Sequence, residues 1–349
     1  MIIEKFISEK IKILSLLAIV LVLYIHSGFH NDELSGMNWI LLVQRYISGM
    51  IGRIAVPLFY IISGYLFFLN TPKGITSVFI KIKKRISSLL IPYIFSAIFF
   101  IVFGVFVALT PGTSRFMNGS VLPLFDNDLF YILKSIFYGI NGGSPMAFQL
   151  WFLRDLIILV FLSPIWYLLF KLFKWYWCIG VFILLFLKIS YFPFYALFWF
   201  SIGGSLISIK FKYKYSRRSI VYIIIFLTLG ILELYYPMKL WEYIQVPVIL
   251  IGIVSIWLFY DLYISEKFSL SNHHFISIAC SYTFFIYLYH EPTLNIVRKF
   301  IVFILGKNEI GYLFAYMFSP WGFLLASIAF GIFINNKFPS FFKVITGGR

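Results

Sequence analysis

Charged residues are scarce in this sequence. They make up 12% of its 349 residues, whereas 61% are hydrophobic and 22% are aromatic. Soluble domains carry about twice that share of charge, so this composition cannot build a soluble surface. Acidic residues are scarcer than basic ones, with 13 Asp and Glu against 29 Lys and Arg. We therefore expect lipid, rather than water, around most of the protein.

Cysteine is nearly absent as well. Cys178 and Cys280 both lie in apolar segments and form neither a disulfide framework nor the spacing of metal ligands. No metal site is expected. The net charge of +16 suggests nucleic acid as a partner only in a soluble protein, and the chain has no aromatic RNA-binding pattern or basic helix. No nucleic-acid partner is expected either.

Long apolar runs recur along the whole chain. Their length predicts an all-α, polytopic integral membrane protein with about ten transmembrane helices in a lipid bilayer. The predicted segments are residues 13–28, 51–69, 89–109, 150–170, 175–187, 192–209, 220–236, 246–262, 275–292 and 312–334. The stretch 39–50 is short and amphipathic, which predicts an interfacial helix or the leading part of the second span.

The basic residues predict the orientation of these helices. With the N-terminus inside, most of the 29 Lys and Arg fall in cytoplasmic clusters, as the positive-inside rule requires. Both termini are then cytoplasmic, the polar loop 110–149 is outside and the basic loop 210–218 is inside. No linker marks a second domain, so we expect one membrane domain over residues 1–349 without an appended soluble domain.

Ionisable residues cluster near the predicted outer ends of four segments. His26 ends the first segment, Arg53 starts the second, Arg154 and Asp155 start the fourth, and His290 ends the ninth. An ionisable group within a spanning helix costs a few kcal/mol or more, which makes each of them a candidate for function. A histidine can also take a proton from a hydroxyl and return it to a leaving group.

Simpler interpretations remain open for each group. Any one of the outer residues can merely cap a helix end at the interface, where water is near. Arg154 and Asp155 are adjacent and can form only a local ion pair. The inner basic cluster Lys83, Lys84 and Arg85 can serve only to fix topology, or can bind phosphate.

At these residues the sequence resembles the acyltransferase 3 family of membrane acyltransferases, over nearly its whole length. The most specific stretch begins with Arg53 and contains a proline and a Ser-Gly pair, which we interpret as a helix break. A basic stretch, KKRISSLLIPY from Lys83, resembles the start of the family's third helix. The four main stretches are LSLLAIVLVLYIH (14–26), RIAVPLFYIISGYL (53–66), LWFLRDLIILVFLSP (150–164) and SYTFFIYLYH (281–290).

The resemblance implies transfer of an acyl group, commonly acetyl, from cytoplasmic acyl-coenzyme A to a hydroxyl of an outward-facing surface polysaccharide or glycolipid. It implies a multi-pass protein of the cytoplasmic membrane of a bacterium. By similarity, His26 is the catalytic histidine and Arg53 holds the acceptor or the acyl carbonyl. The phosphates of acetyl-coenzyme A would meet Lys83, Lys84 and Arg85.

One position departs from the family pattern. The family usually has an arginine eleven residues before the histidine, and here that residue is Ser15. Lys12 lies fourteen residues before His26, again close to a whole number of helical turns. Our hypothesis is that Lys12 supplies the missing charge to the donor site.

Two functions therefore follow from the sequence. In the first, His26 deprotonates a sugar hydroxyl while Arg53, helped by Arg154, stabilises the oxyanion formed at the thioester carbonyl. His290 shares the depth of His26 and is the rival base. In the second, the chain is a transporter or flippase of a polysaccharide or lipid precursor, for which broken helices and internal repeats would argue.

Overall fold

A computed structural model describes residues 5–69, 74–110, 129–138, 143–186, 192–208, 218–235, 241–264 and 268–348. Most of the predicted outer loop 110–149 and nearly all of the inner loop 210–218 lie outside these residues. Within them the chain is helical and contains no strand. The all-α prediction is therefore confirmed for the described part of the chain.

Every predicted apolar segment overlaps an α-helix. Additional helices are α2 after the first segment, α4 and α6 on either side of α5, and α14 and α16 near the C-terminus. The α-helices are α1 Lys5–His26, α2 Asn38–Gln44, α3 Ala55–Phe68, α4 Ile75–Arg85, α5 Ile91–Leu109, α6 Leu129–Ser135, α7 Trp151–Phe161, α8 Ser163–Phe173, α9 Tyr176–Phe186, α10 Phe194–Ser205, α11 Arg218–Tyr235, α12 Trp241–Tyr263, α13 His274–Tyr289, α14 Thr293–Leu305, α15 Glu309–Lys337 and α16 Pro339–Ile345.

Fewer helices than expected have the length and composition of a membrane span. In the described residues four stretches qualify, namely Asn38–Phe68, Ile75–Leu109, Ile244–Tyr263 and Glu309–Lys337, and a bent helix pair makes up to five. Helix α1 carries Glu9, Lys10 and Lys12 in its first half, and α10 and α13 have only 12 and 16 residues. Since a span needs about 20 apolar residues, length and composition support only part of the predicted ten.

The predicted fourth span is bent rather than straight. Residues Phe148–Phe161 and Ser163–Phe173 meet at an angle of 65°. Pro164 occupies the first turn of α8, where its missing N–H cannot continue the hydrogen bonds of α7. The sequence segment 150–170 is therefore two helices, α7 and α8.

The second predicted span is longer than expected and unbroken. Helix α2 continues through a π-helical turn, Arg45–Ile51, and a 3-10 turn, Gly52–Ile54, into α3. The stretch 39–50 is thus the leading part of this span. The prediction of a break at Ser63–Gly64 is wrong, because α3 runs through both residues.

Gly64 instead marks the closest packing of two helices. A Cβ at Gly64 would lie 2.1 Å from the carbonyl oxygen of Phe200 in α10, and one at Gly203 would lie 2.0 Å from that of Ile61 in α3. Small residues allow helix backbones in membranes to approach in this way. The two glycines therefore fix α10 against α3, which carries the residues discussed below.

The first and last described residues of the chain lie at the same end of the bundle, which is here called the basic end. Lys10 near the start of α1 forms an ion pair of 2.8 Å with Asp261 at the end of α12. Gly347, after α16, packs against the backbone of Ser88, just before α5. His26 lies at the other end of α1, so the opposite end of the bundle is called the histidine end.

Candidate functional site

Two histidines from distant parts of the sequence meet at the histidine end. His26 is the last residue of α1, and His290 directly follows α13, which packs along α1. Their ring centroids are 4.8 Å apart. The two histidines, which the sequence places at the outer ends of separate segments, are thus neighbours at one end of the bundle.

The hydrogen bond of His290 defines its tautomer. Its Nδ1 lies 2.7 Å from the backbone carbonyl oxygen of Tyr287, which can only accept, so Nδ1 must carry the proton. Its Nε2 is buried and has no hydrogen-bond partner among the described residues. In the neutral ring, Nε2 of His290 is therefore the unprotonated nitrogen, and it lies fully buried beside His26.

His26 is the more accessible member of the pair. Its side chain is only partly buried, whereas His290 is completely enclosed. The ring of Phe148 lies 5.5 Å from that of His26 and is itself 41% exposed. An approaching substrate would therefore reach His26 and Phe148 before His290.

The segment that carries Phe148 is fastened to the end of α13. It forms a 3-10 turn, Phe148–Leu150, directly before α7. The hydroxyl of Tyr287 donates to the carbonyl oxygen of Gln149 over 2.9 Å, and Nε2 of Gln149 donates to the carbonyl oxygen of Glu291 over 3.3 Å. These buried hydrogen bonds hold the turn beside both histidines.

Arg298 is a further polar residue at this end, and sequence reasoning missed it. It is buried, donates to the carbonyl oxygen of Gly28 and to Oδ1 of Asn295, and lies over the ring of Phe29 at 4.5 Å. Arg298 thereby ties α14 to the chain just after His26. The available signal was an arginine in the mostly apolar stretch Thr293–Leu305, which lies between two predicted spans.

Arg53 lies at the histidine end but contacts neither histidine in the described structure. It sits in the 3-10 turn before α3, is exposed, and donates to Oε1 of Gln245 in α12 over 3.4 Å. The preceding Gly52 packs directly on Ile25, since a Cβ there would lie 2.8 Å from that side chain. Arg53 is therefore at the level of His26, and its hydrogen bond to Gln245 is long.

Arg154 and Asp155 form the local ion pair that the sequence left open. Nη2 of Arg154 lies 2.8 Å from Oδ1 of Asp155, and Nε donates to the same oxygen over 2.9 Å. Nη1 donates to the carbonyl oxygens of Gly143 and Phe137 over 2.7 and 3.3 Å. All three guanidinium nitrogens are thus engaged, and the pair fastens the segment before α7.

A cavity of about 350 Å³ runs between α1, α3, α7 and α13. Lys12, Ser15 and Arg85 line it toward the basic end, and its other lining residues are mostly apolar. It extends along α13 from Cys280 to Tyr287, whose carbonyl oxygen accepts the hydrogen bond of His290. The cavity thus runs from the basic end toward the histidine end and reaches Tyr287, although neither histidine lines it.

The basic cluster at the start of the third span divides between the cavity and the surface. Arg85 is partly buried and lines the cavity, whereas Lys83 and Lys84 are exposed and do not. Lys81 donates to the carbonyl oxygens of Phe67 and Leu69 and so caps the end of α3. Of the three residues predicted to bind phosphate, the structure places Arg85 on the wall of the cavity.

Comparison with known proteins gives one match. The sequence model of the acyltransferase 3 family, described as an acyltransferase domain, matches residues 10–335. No curated protein and no solved structure matches the chain. The matched range contains the histidine pair, Arg53, Lys12, Arg85 and the whole lining of the cavity.

Proposed function

Because the chain belongs to the acyltransferase 3 family and is an acyltransferase, we propose that it transfers an acyl group from acyl-coenzyme A to a sugar hydroxyl. The proposed donor is cytoplasmic acetyl-coenzyme A. The proposed acceptor is a surface polysaccharide or glycolipid that faces the other side of the membrane. The observation that carries this proposal is the cavity, because it extends from Lys12 and Arg85 at the basic end to Tyr287, whose carbonyl oxygen accepts the hydrogen bond of His290.

The lining of the cavity suits the donor. Coenzyme A has anionic phosphates and a long, mostly uncharged pantetheine arm that ends in the thioester. Arg85 and Lys12 would bind the phosphates through charge-assisted hydrogen bonds, while the apolar walls would hold the arm. Lys83 and Lys84 lie outside the cavity and would attract the anion from a distance.

Position 15, where this sequence departs from the family pattern, also supports the cavity as the donor site. Ser15 and Lys12 line the same cavity. A lysine one turn nearer the basic end can therefore reach the space that an arginine at position 15 would occupy. We propose that Lys12 replaces that arginine in donor binding.

Acyl transfer by this site needs no covalent intermediate on the protein. The acceptor oxygen attacks the thioester carbonyl carbon, the new C–O bond forms and the C–S bond breaks. In our proposal His26 takes the hydroxyl proton during attack and returns it to the departing thiolate of coenzyme A. His290, held in one tautomer by Tyr287, stays neutral and orients the ring of His26.

The oxyanion that forms during attack needs a positive or hydrogen-bonding partner. Arg53 is our candidate, because it lies at the level of His26 and its hydrogen bond to Gln245 is long. Arg154 is a weaker candidate than the sequence suggested, because its guanidinium nitrogens already donate to Asp155 and to loop carbonyls. We propose that Arg154 holds the segment before α7 in place.

The family and the apolar helices indicate a membrane protein. We propose in addition that about ten helical segments cross the bilayer. The shorter segments would do so inside the bundle, where other helices rather than lipid surround them. The basic end would then face the cytoplasm with both termini, and the histidine end would face outward. In this orientation the donor binds from the cytoplasmic side of a bacterial cytoplasmic membrane, and the acceptor binds from the outer side.

A transporter or flippase remains the second candidate, and the bend between α7 and α8 is the observation that favours it. The unbroken course of α3 argues against it. Release of free coenzyme A thiol by purified protein in detergent separates the two functions, because transport cannot occur without a closed membrane. Thiol release from acetyl-coenzyme A would support the enzyme, and its absence together with glycolipid movement in vesicles would support the transporter.

A further inference from the structure

We propose that the turn Phe148–Leu150 is the acceptor subsite, where Phe148 stacks against the apolar face of a neutral pyranose ring beside His26. This inference rests on the proposed function, because it names the acceptor chemistry of the same site. It assigns to Phe148 and Gln149 a role in binding that neither the sequence nor the family match indicates.

Phe148 occupies an unusual place for an exposed aromatic residue. Exposed Phe side chains on the outside of an apolar bundle are expected to face acyl chains, and Phe303 on α14, with 75% of its surface exposed, is an example of an exposed Phe on a helix. Phe148 instead lies against the ring of His26 at the end of the bundle, among buried polar groups. A partly exposed aromatic ring beside a polar site can pack against the C–H face of a sugar ring.

The turn is also rigid enough to serve as a binding surface. Gln149 is 2% exposed and bonded through both its main chain and its side chain to the end of α13. Its Nε2 must be the bonded atom, because its partner, the carbonyl oxygen of Glu291, can only accept. Phe148 therefore keeps its position next to His26 before any ligand arrives, which lowers the entropy cost of binding.

The unpartnered polar atoms around this turn define the chemistry of the ligand. Oε1 of Gln149 and Nε2 of His290 are buried and have no hydrogen-bond partner among the described residues. Both atoms are acceptors, given the bonds that their companion nitrogens make. Because buried acceptors are rarely left unpaired, a ligand that carries donors suits this turn better than one that carries only acceptors. Sugar hydroxyls are donors, whereas a phosphate or carboxylate group brings only acceptors.

Saturation-transfer NMR with a panel of methyl pyranosides tests the proposal on the purified full-length protein. The acyclic polyol glucitol is the ligand control, since it has hydroxyl groups but no ring face. The variants are Phe148→Ala, which removes the stacking face, and Phe148→Trp, which keeps one. Phe303→Ala is the matched control, because it also removes an exposed aromatic ring.

We expect the wild type to bind a pyranoside more tightly than glucitol. Phe148→Ala should weaken pyranoside binding by about two- to tenfold, the range of an aromatic contact, while Phe148→Trp and Phe303→Ala leave it unchanged. Equal binding by the wild type and Phe148→Ala, loss of binding in Phe148→Trp as well, or no pyranoside binding by the wild type would each overturn the proposal. Thiol release is measured in parallel, so a sugar site without acyl transfer would contradict only the proposed enzymatic function.

Discussion

At the scale of single residues, Arg85 and Lys84 are neighbours with the same charge but different surroundings. Arg85 lines the cavity and Lys84 is exposed. We expect Arg85→Gln to raise KM for acetyl-coenzyme A about tenfold or more, since a charge-assisted phosphate contact contributes about 1.5–3 kcal/mol. Turnover should change less, because a contact remote from the thioester binds ground and transition states alike.

Lys84→Gln is the matched control for this measurement and should leave KM within about twofold, as expected for an exposed charge. Steady-state kinetics on both variants gives the comparison. Equal increases of KM in the two variants would mean that the cluster acts through its overall charge, or only as a topology anchor, and not through a contact within the cavity.

A charge-relocation experiment tests the role proposed for Lys12. Lys12→Gln should raise KM for acetyl-coenzyme A, and adding Ser15→Arg to that variant should lower it again, because both positions line the same cavity. The measurement is KM of the wild type, the single variant and the double variant. If the double variant is no better than Lys12→Gln, the charge at position 12 does not substitute for the family's arginine.

The sequence predicts some of these residues well and others poorly. His26 and His290 are predictable, because each ends an apolar segment and helix topology puts both ends at one depth. The ion pair of Arg154 with Asp155 is one of the alternatives that the sequence offers, but the bonds of Arg154 to the carbonyl oxygens of Phe137 and Gly143 are not predictable, because no sequence pattern places those two residues beside it. Arg298 is missed for a similar reason, since α14 is too short and too amphipathic to read as a span.

At the scale of helices, the ion pair between Lys10 and Asp261 joins α1 to α12. Lys10 is 1% exposed and Asp261 2%, and the ammonium also lies 3.9 Å from the centre of the Trp257 ring. Lys10→Met would leave the buried Asp261 carboxylate without its partner, which typically costs about 3–5 kcal/mol. We expect a clear loss of thermal stability in detergent.

The double variant Lys10→Met, Asp261→Leu should recover most of that stability, because a buried ion pair replaced by apolar residues is often neutral. Thermal unfolding of the two variants and the wild type provides the comparison. A single variant as stable as the wild type would show that water or lipid headgroups already solvate Asp261, and that the pair does not hold α1 in place.

Helix continuity depends on neighbours as much as on local sequence. In the sequence the Ser63–Gly64 pair suggests a break, yet α3 is continuous there and Gly64 packs on α10, a contact that hydropathy cannot reveal. Pro164 does interrupt a predicted span, as the chemistry of proline requires. A glycine in the sequence of a membrane helix can thus indicate either a break or a close contact with another helix, and only the packing partner distinguishes the two.

At the scale of the whole molecule, orientation in the membrane follows from the two ends of the bundle. Asp32 is exposed in the loop after His26, and Ser271 is exposed in a loop near Glu9 at the basic end. Cysteine at each position, in a background lacking Cys178 and Cys280, can be probed with an impermeant thiol reagent. In intact cells we expect labelling at position 32 and not at 271, and the reverse pattern would invert the proposed topology.

The sequence predicts the apolar segments but not how each one crosses. All ten predicted segments contain helix, yet only part of them have the length of a span. Hydropathy measures the preference of a segment for a nonpolar surrounding and cannot separate lipid from the interior of the protein. The short helix α10 illustrates this, because its residues around Trp199 are buried against other helices.

The central claim is that the histidine pair performs acyl transfer with His26 as the general base. The most direct test is the turnover of purified protein with radiolabelled acetyl-coenzyme A and a glycan acceptor fraction, for the wild type, His26→Gln and His290→Gln. We expect His26→Gln to lose about 10²–10⁴-fold in turnover, since glutamine keeps a hydrogen-bonding group but cannot accept the proton. His290→Gln should retain a substantial part of its turnover. Near-full turnover in His26→Gln with loss in His290→Gln would contradict the account and move the base to the end of α13.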